Sequence, residues 1–275
     1  MQTVAILGAG ELGGAIARTL AAVDVVRHIV LIDQQGTVAS GKALDILQSG
    51  PIEAFHTRVT GGSDAALAGV GVVVLADEHG GREYSGDAAL ALLRRTLDAS
   101  PRAIVVAAGA GQLSTLEQAR ELGVPAAHLV GSAPLAAQSI AAALTAMELD
   151  ASVDDVSLAI VGTPPSFVIA WTDAALAGSP LTPLLTPPQT QRIESRLRAR
   201  WPPGPYALAS AATAVIRAIR GGSHRRLTCF VARDGGFERP PFAALPVTLG
   251  PEGVVEVHVQ HLSARERVAG GLVAE

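Results

Sequence analysis

The chain has one cysteine, one lysine, 3% aromatic residues and no long uninterrupted apolar run, and each shortage excludes something. The single thiol, Cys229, rules out an intramolecular disulfide and any metal site built from a cysteine cluster. Within Thr228-Cys229-Phe230-Val231 it reads as a small buried hydrophobe on a strand. Lys42 stands alone among arginines in a background rich in alanine, glycine and proline. That pattern reflects base composition and carries no functional reading. Charged residues make up 17%, below the roughly 25% of an average soluble domain, and mean hydropathy is +0.36. The membrane question therefore arises and is answered by the pattern. A spanning helix needs about 18 or more consecutive apolar residues. The best stretch, 133–149, is interrupted by Pro134, Gln138, Ser139, Thr145 and Glu148 and is mostly alanine. Met1-Gln2-Thr3 leads straight into a strand-like run, without the basic start and cleavage site of a secretory signal. A soluble, cytoplasmic protein with no membrane partner is expected.

A net charge of −4 and a pI near 6.0 give no electrostatic footprint for nucleic acid or anionic lipid. The hydrophobic share of 49% excludes intrinsic disorder, and the length allows one large domain or two modest ones. Along the first half, strand-like runs at 4–7, 28–32, 72–75, 104–106 and 128–130, with a short one at Val59, alternate with helix-like stretches at 12–22, 39–47 and 113–122. Val/Ile/Leu runs without polar alternation belong to strands covered on both faces, as in a parallel sheet with crossover helices. The second half has a long helix at 134–149, a strand at 156–161, dense prolines, helices at 189–200 and 206–220, strands at 227–232 and 254–259, and a short terminal helix. The expected fold is α/β: an N-terminal Rossmann-type doubly wound parallel sheet over 1–131, then an α+β domain over 132–275.

Gly8-Ala9-Gly10-Glu11-Leu12-Gly13 fits G-x-G-x-x-G, directly after a strand and at the opening of a helix. In that setting Gly8 permits the tight turn, Gly10 the close approach of a pyrophosphate, and Gly13 close helix–strand packing. The N–H groups around Glu11, Leu12 and Gly13 and the positive end of the helix dipole would then face the phosphates. Asp33, twenty residues past Gly13 at the end of the second strand, is placed to accept both ribose hydroxyls of an adenosine and to repel the 2′-phosphate of NADP. The expected cofactor is NAD. The alternative is a plain βα turn with Asp33 as a solvated strand end.

Beyond the fingerprint the sequence resembles the lactate/malate dehydrogenase family. The similar segments are Gly41-Lys42-Ala43-Leu44-Asp45 with Ser49-Gly50-Pro51, Val130-Gly131, Ala146-Met147-Glu148-Leu149, Gly178-Ser179-Pro180-Leu181, the 206–220 helix, and 245–256 as a terminal hairpin. The resemblance implies a C-terminal domain of the family's substrate-binding type, a homo-oligomer, a small-molecule substrate, and Ala76 beside the cofactor. The implied reaction is hydride transfer between NAD and C2 of a small 2-hydroxy acid. It uses a histidine as acid–base, an aspartate orienting it, and arginines gripping the carboxylate and polarising the carbonyl.

The corresponding segments lack these residues. Where the histidine belongs the chain reads Gly162-Thr163-Pro164-Pro165-Ser166, and where the aspartate and arginine belong it reads Leu135-Ala136-Ala137-Gln138-Ser139. Gly109-Ala110-Gly111-Gln112 stands in place of an Asn-Pro-x-Asp-like turn. After the fourth strand Ala76 leads into Asp77-Glu78-His79-Gly80-Gly81-Arg82, and the span from Asp77 to Pro101 is expected to be about two helical turns short of the family's mobile-loop region, with 181–202 short as well. No catalytic residue is assigned by the match, and no metal ligand set has suitable spacing. His79 and Arg82 are the remaining candidates, with Asp77 or Glu78 as a partner for the imidazole. A solvated glycine-rich loop is the alternative. The arginines at 217, 220, 225 and 226 read as a solvated helix end. A catalytically silent NAD-binding homologue and a divergent NAD-dependent oxidoreductase acting through His79 and Arg82 both remain open.

Overall fold

A computed structural model describes residues 3–164, 166–222, 224–233 and 241–269. Met1 and Gln2, ahead of the first strand, and Pro165 in the 162–166 segment lie outside the described residues. Six strands build a parallel sheet: β1 (Thr3–Leu7), β2 (His28–Ile32), β3 (Arg58–Gly62), β4 (Val72–Leu75), β5 (Ile104–Ala107) and β6 (Leu129–Gly131). They lie in the order β6-β5-β4-β1-β2-β3, so the winding reverses between β1 and β4. That is the doubly wound arrangement expected from continuous apolar strands, and ligands of such sheets bind outside the carboxyl ends at the reversal. Every residue of β4 and β5 is buried, consistent with helices on both faces.

The helices of this half are α1 (Glu11–Ala22), α2 (Gly36–Glu53), α3 (Gly86–Ala99) and α4 (Leu113–Glu121). Helix α1 buries Leu12, Gly13, Ile16, Ala17, Leu20 and Ala21, the one-face spacing of an amphipathic helix. Helix α2 runs well past the expected 39–47, continuing through Ser49-Gly50-Pro51. Pro51 falls in its last turn, where its missing N–H breaks only one terminal bond. Helix α3 was not expected from the sequence. It buries Ala89, Leu92, Leu93 and Thr96, a spacing of three, four and seven.

In the second half α5 (Ala133–Leu149) is followed by α6 (Pro187–Arg198) and α7 (Pro205–Gly221). Three strands then extend the sheet, β7 (Leu227–Ala232), β8 (Phe242–Gly250) and β9 (Gly253–Val257), before α8 (Ala264–Ala269). Strand β7 joins β6 antiparallel through the pair Phe230–Gly131, and β8 and β9 follow antiparallel, so one nine-stranded sheet crosses the whole chain. Helix α7 packs against α1 and α5. Helix α6 starts two residues earlier than expected because Thr186 and Gln189 form a capping box with Pro187 in the first turn.

The expected single strand at 156–161 is two short ones: Val156–Ser157 pairs with Ala175–Leu176, and Ile160–Val161 pairs with Val168–Ile169. The break has a cause. Gln138 on α5 donates its side-chain amide to the Leu158 carbonyl at 2.8 Å and accepts the Thr228 N–H of β7 at 3.1 Å. One glutamine thus ties α5, the strand break and the start of β7. Gln138→Ala leaves a part-buried carbonyl and a part-buried N–H unpaired. The expected loss in urea denaturation is about 1–3 kcal/mol. None of the described helices is long and apolar enough to cross a membrane.

Candidate functional site

The glycine-rich turn lies where β1, β4 and β5 end, at the reversal of the sheet. Gly8 has φ +108°, the left-handed region that favours glycine, and its N–H donates to the Ile32 carbonyl at 2.7 Å. A Cβ on Gly13 would lie 2.1 Å from the Gly8 carbonyl oxygen, so α1 seats against the turn only because position 13 has no side chain. Both glycines hold the roles expected of them.

At Gly10 the close neighbour is part of the protein itself. A Cβ there would lie 2.3 Å from Cγ of Asp77 and 2.4 Å from the Glu78 carbonyl oxygen. The Asp77 carboxylate accepts the Leu12 N–H at 3.0 Å and the Gly13 N–H at 2.8 Å, one oxygen to each, and the Gly10 N–H donates to the Asp77 carbonyl at 2.9 Å. Asp77 is 5% exposed. An acidic side chain on the orphan amides of a helix N-terminus is stabilised by both the hydrogen bonds and the dipole. Lys42 reaches across from α2 and donates to the Gly10 carbonyl at 2.6 Å.

Asp77 begins a hairpin in which Asp77 pairs with Glu83 and Glu78 with Arg82. Its turn is Gly80-Gly81, with φ +111° and +90° and nothing within 4 Å of either Cβ position. At its far side the Glu83 carboxylate accepts the N–H groups of Ala110 and Gly111 at 2.9 and 2.8 Å, in the turn after β5. A Cβ on Gly109 would fall 2.4 Å from the Glu83 carboxyl carbon. Gln112, fully buried, accepts the Gly109 N–H at 2.9 Å and donates to the Ala76 carbonyl at 2.8 Å. The Tyr84 N–H closes the hairpin base on the same Ala76 carbonyl at 3.2 Å. Burial, then the nearby Asp33 and Glu78 carboxylates, push the Tyr84 phenol up to about 12, so it stays protonated at neutral pH.

Asp33 stands at the end of β2 as expected. Its oxygens accept the N–H groups of Ala9 at 2.8 Å, Gln35 at 2.9 Å and His79 at 3.1 Å. His79 and Arg82 are exposed on the hairpin. The anticipated pairing of His79 with Asp77 is not formed, because both Asp77 oxygens are taken by amides of α1. Sequence reasoning missed Asp77 and Glu83 as the groups that cap the two glycine turns. Their position on either side of a Gly-Gly tip, three residues before Gly80 and two after Gly81, was the available signal.

In the second half, Gly162 has φ +103° and pairs with Ala244, while the Ser166 N–H closes a turn on the Thr163 carbonyl at 2.8 Å. Ala136 and Ala137 are buried in the first turns of α5, and Gln138 is engaged as described above.

The parts a dinucleotide needs are therefore present: the glycine turn, the amides of Leu12 and Gly13, and Asp33 at the strand end. Their chemistry suits a pyrophosphate and an adenosine ribose, and in this structure the Asp77 carboxylate occupies the two amides. Strand order, turn and acidic strand end together define a dinucleotide-binding α/β protein of the Rossmann type. Residues 2–98 match the profile of the lactate/malate dehydrogenase NAD binding domain. The malate dehydrogenase of Thioalkalivibrio sulfidiphilus is 29% identical, covering 97% of this chain and 94% of its own. That of Salinibacter ruber is 28% identical, covering 96% and 91%. The solved structure of malate dehydrogenase from Salinibacter ruber superimposes with a TM-score of 0.88 at 25% identity over 98% of this chain and 93% of that one. A Cryptosporidium parvum lactate dehydrogenase, solved with lactic acid and nicotinamide adenine dinucleotide, gives 0.89 at 21% identity, over 98% and 93%, and shares the fold. Residues 2–98 thus match the family's NAD binding domain, with NAD as its cofactor, and the chain over nearly its whole length is similar to malate dehydrogenases.

Proposed function

We propose that this protein is an NAD-binding member of the family that no longer interconverts lactate or malate with the 2-oxo acid. The observation that carries the reading is the content of the 162–166 turn and the first turns of α5. They offer Thr163, Pro164, Ala136, Ala137 and a structurally committed Gln138 in the segments that resemble the family's catalytic ones. When bound, NAD supplies a hydride acceptor. The residues of this chain would hold its pyrophosphate on Leu12 and Gly13 and its ribose on Asp33. A proton acceptor for the substrate hydroxyl and a cation for its carboxylate are missing from those two segments.

We read 1–131 as the nucleotide-binding unit and 132–275 as the former substrate unit, and the protein as a cytoplasmic homo-oligomer. Exposed Leu44, Leu47 and Ile52 on α2 support self-association. Losing one acid–base group alone typically costs 10²–10⁴ in rate. The test pairs calorimetric titration with NAD, NADH and NADP with a dehydrogenase screen over 2-hydroxy acids. Binding of NAD(H) without detectable lactate or malate oxidation is expected, and robust turnover of either overturns the reading. The exposed His79 and Arg82 at the crevice favour a second reading, oxidation of another small hydroxy or keto compound. Turnover of such a compound, abolished by His79→Ala, would establish it.

A further inference from the structure

We propose that the 77–83 hairpin is a built-in competitor of the dinucleotide, with Asp77 standing in for the pyrophosphate, so that NAD(H) binds only by displacing it. The inference rests on the reading of this crevice as a dinucleotide site and concerns how that site is opened.

Three groups that a bound dinucleotide would use are already satisfied from within the chain. The Leu12 and Gly13 amides are held by the two oxygens of one carboxylate, at 3.0 and 2.8 Å. A phosphate drawn to the same amides cannot coexist with that carboxylate, since two anionic groups would share one helix N-terminus. The void above Gly10, which in such turns admits a phosphate, is closed by the Asp77 side chain and the Glu78 carbonyl. Asp33, the ribose acceptor, is engaged by the His79 N–H. Glu83 repeats the device on the neighbouring turn, where it caps the Ala110 and Gly111 amides. Each end of the hairpin thus carries an acid that caps amides of the sheet's carboxyl edge.

The construction also points to a hairpin that can lift. Its tip is Gly80-Gly81, with no atoms within 4 Å of either Cβ position, and Glu78 through Arg82 are partly or fully exposed. What holds it is chiefly hydrogen bonding between acids and amides, with Tyr84 and Gln112 as the buried hinge at its base. A ligand whose binding-competent state is a fraction of the population has its apparent affinity lowered by that fraction.

The test compares NADH binding by calorimetry in the wild-type chain, Asp77→Ala, Glu83→Gln and Glu78→Gln. Amide hydrogen exchange at Leu12 and Gly13 is read in each. Asp77→Ala is expected to tighten NADH about tenfold or more, to speed exchange at Leu12 and Gly13, and to have that exchange slowed again by NADH. Glu83→Gln is expected to act in the same direction more weakly, and it keeps the question answerable should Asp77→Ala fold poorly. Glu78→Gln removes one negative charge without freeing an amide and is expected to change affinity little. Equal tightening by Glu78→Gln and Asp77→Ala would reduce the effect to net charge and overturn the proposal. Equal NADH affinity in the wild-type chain and Asp77→Ala would overturn the competition while leaving the dinucleotide site intact. Faster exchange in Asp77→Ala with no NADH binding would overturn the dinucleotide reading itself, and the competition with it.

Discussion

Phe230→Ala is expected to destabilise the protein by about 3–5 kcal/mol in urea or thermal unfolding, the range for truncating a buried aromatic. Phe230 is 2% exposed and lies among other rings, 6.1 Å from Phe167 in a stacked arrangement and 6.4 Å from Trp201 edge-on. Its position in the sheet raises the cost toward the upper end. It is the residue of β7 that pairs with Gly131 of β6, the seam between the parallel strands and the antiparallel extension. A Cβ on Gly131 would lie 2.8 Å from the Phe230 Cβ, so the small residue at 131 and the large one at 230 form one packing unit. The alanine variant leaves a void there that neighbouring strands, held in register on both sides, cannot collapse to fill. Val259→Ala, at a position 89% exposed, is the matched control and is expected to stay within about 0.5 kcal/mol. A Phe230→Ala variant as stable as that control would mean that the two halves are not joined through this seam.

What could be read in advance divides along the range of the interactions. Strands β2 and β7 match the expected residues because a run of β-branched and aliphatic side chains covered on both faces is a local signal. The glycine turn was legible for the same reason, since strand, turn and helix start lie within a dozen residues. Helix α3 was missed although Ala89, Leu92 and Leu93 fall on one face, because Thr96 completes that face and Arg94-Arg95, exposed on the opposite side, break up the apolar run along the sequence. The start of β8 was hidden by alanines, which are poor strand formers and follow a proline pair at 240–241. The break at 158–159 depends on Gln138, twenty residues away, and no local pattern records it. The hairpin is the extreme case. Asp77 bonds to amides 64 and 65 residues earlier in the chain, and an acid beside glycines in a loop reads by default as solvated. Which way that side chain turns is decided by helix α1, and helix α1 is what a dinucleotide would also seek.

Gly13→Ala separates the turn from the hairpin that covers it. Alanine in place of glycine inside a helix ordinarily gains about 0.5–1 kcal/mol from backbone entropy. At position 13 the added Cβ would meet the Gly8 carbonyl oxygen at 2.1 Å and its carbon at 2.9 Å, both backbone atoms of the turn that α1 rests on. Neither can rotate aside, so α1 or the end of β1 must move, and overpacking of this kind typically costs 1–3 kcal/mol, occasionally more. With β1 central in the sheet and Leu7 and Ile16 fully buried around it, a net loss of about 3 kcal/mol or more is expected. Gly41→Ala on α2, with nothing within 4 Å of its Cβ position, tests the opposite sign and is expected to stabilise by about 0.5–1 kcal/mol. Because Gly13→Ala moves the very amides that Asp77 caps, it is also expected to abolish NADH binding even in the Asp77→Ala background. Retained NADH affinity in that double variant would show that the nucleotide does not use the amides of α1, and would remove the turn from the candidate site.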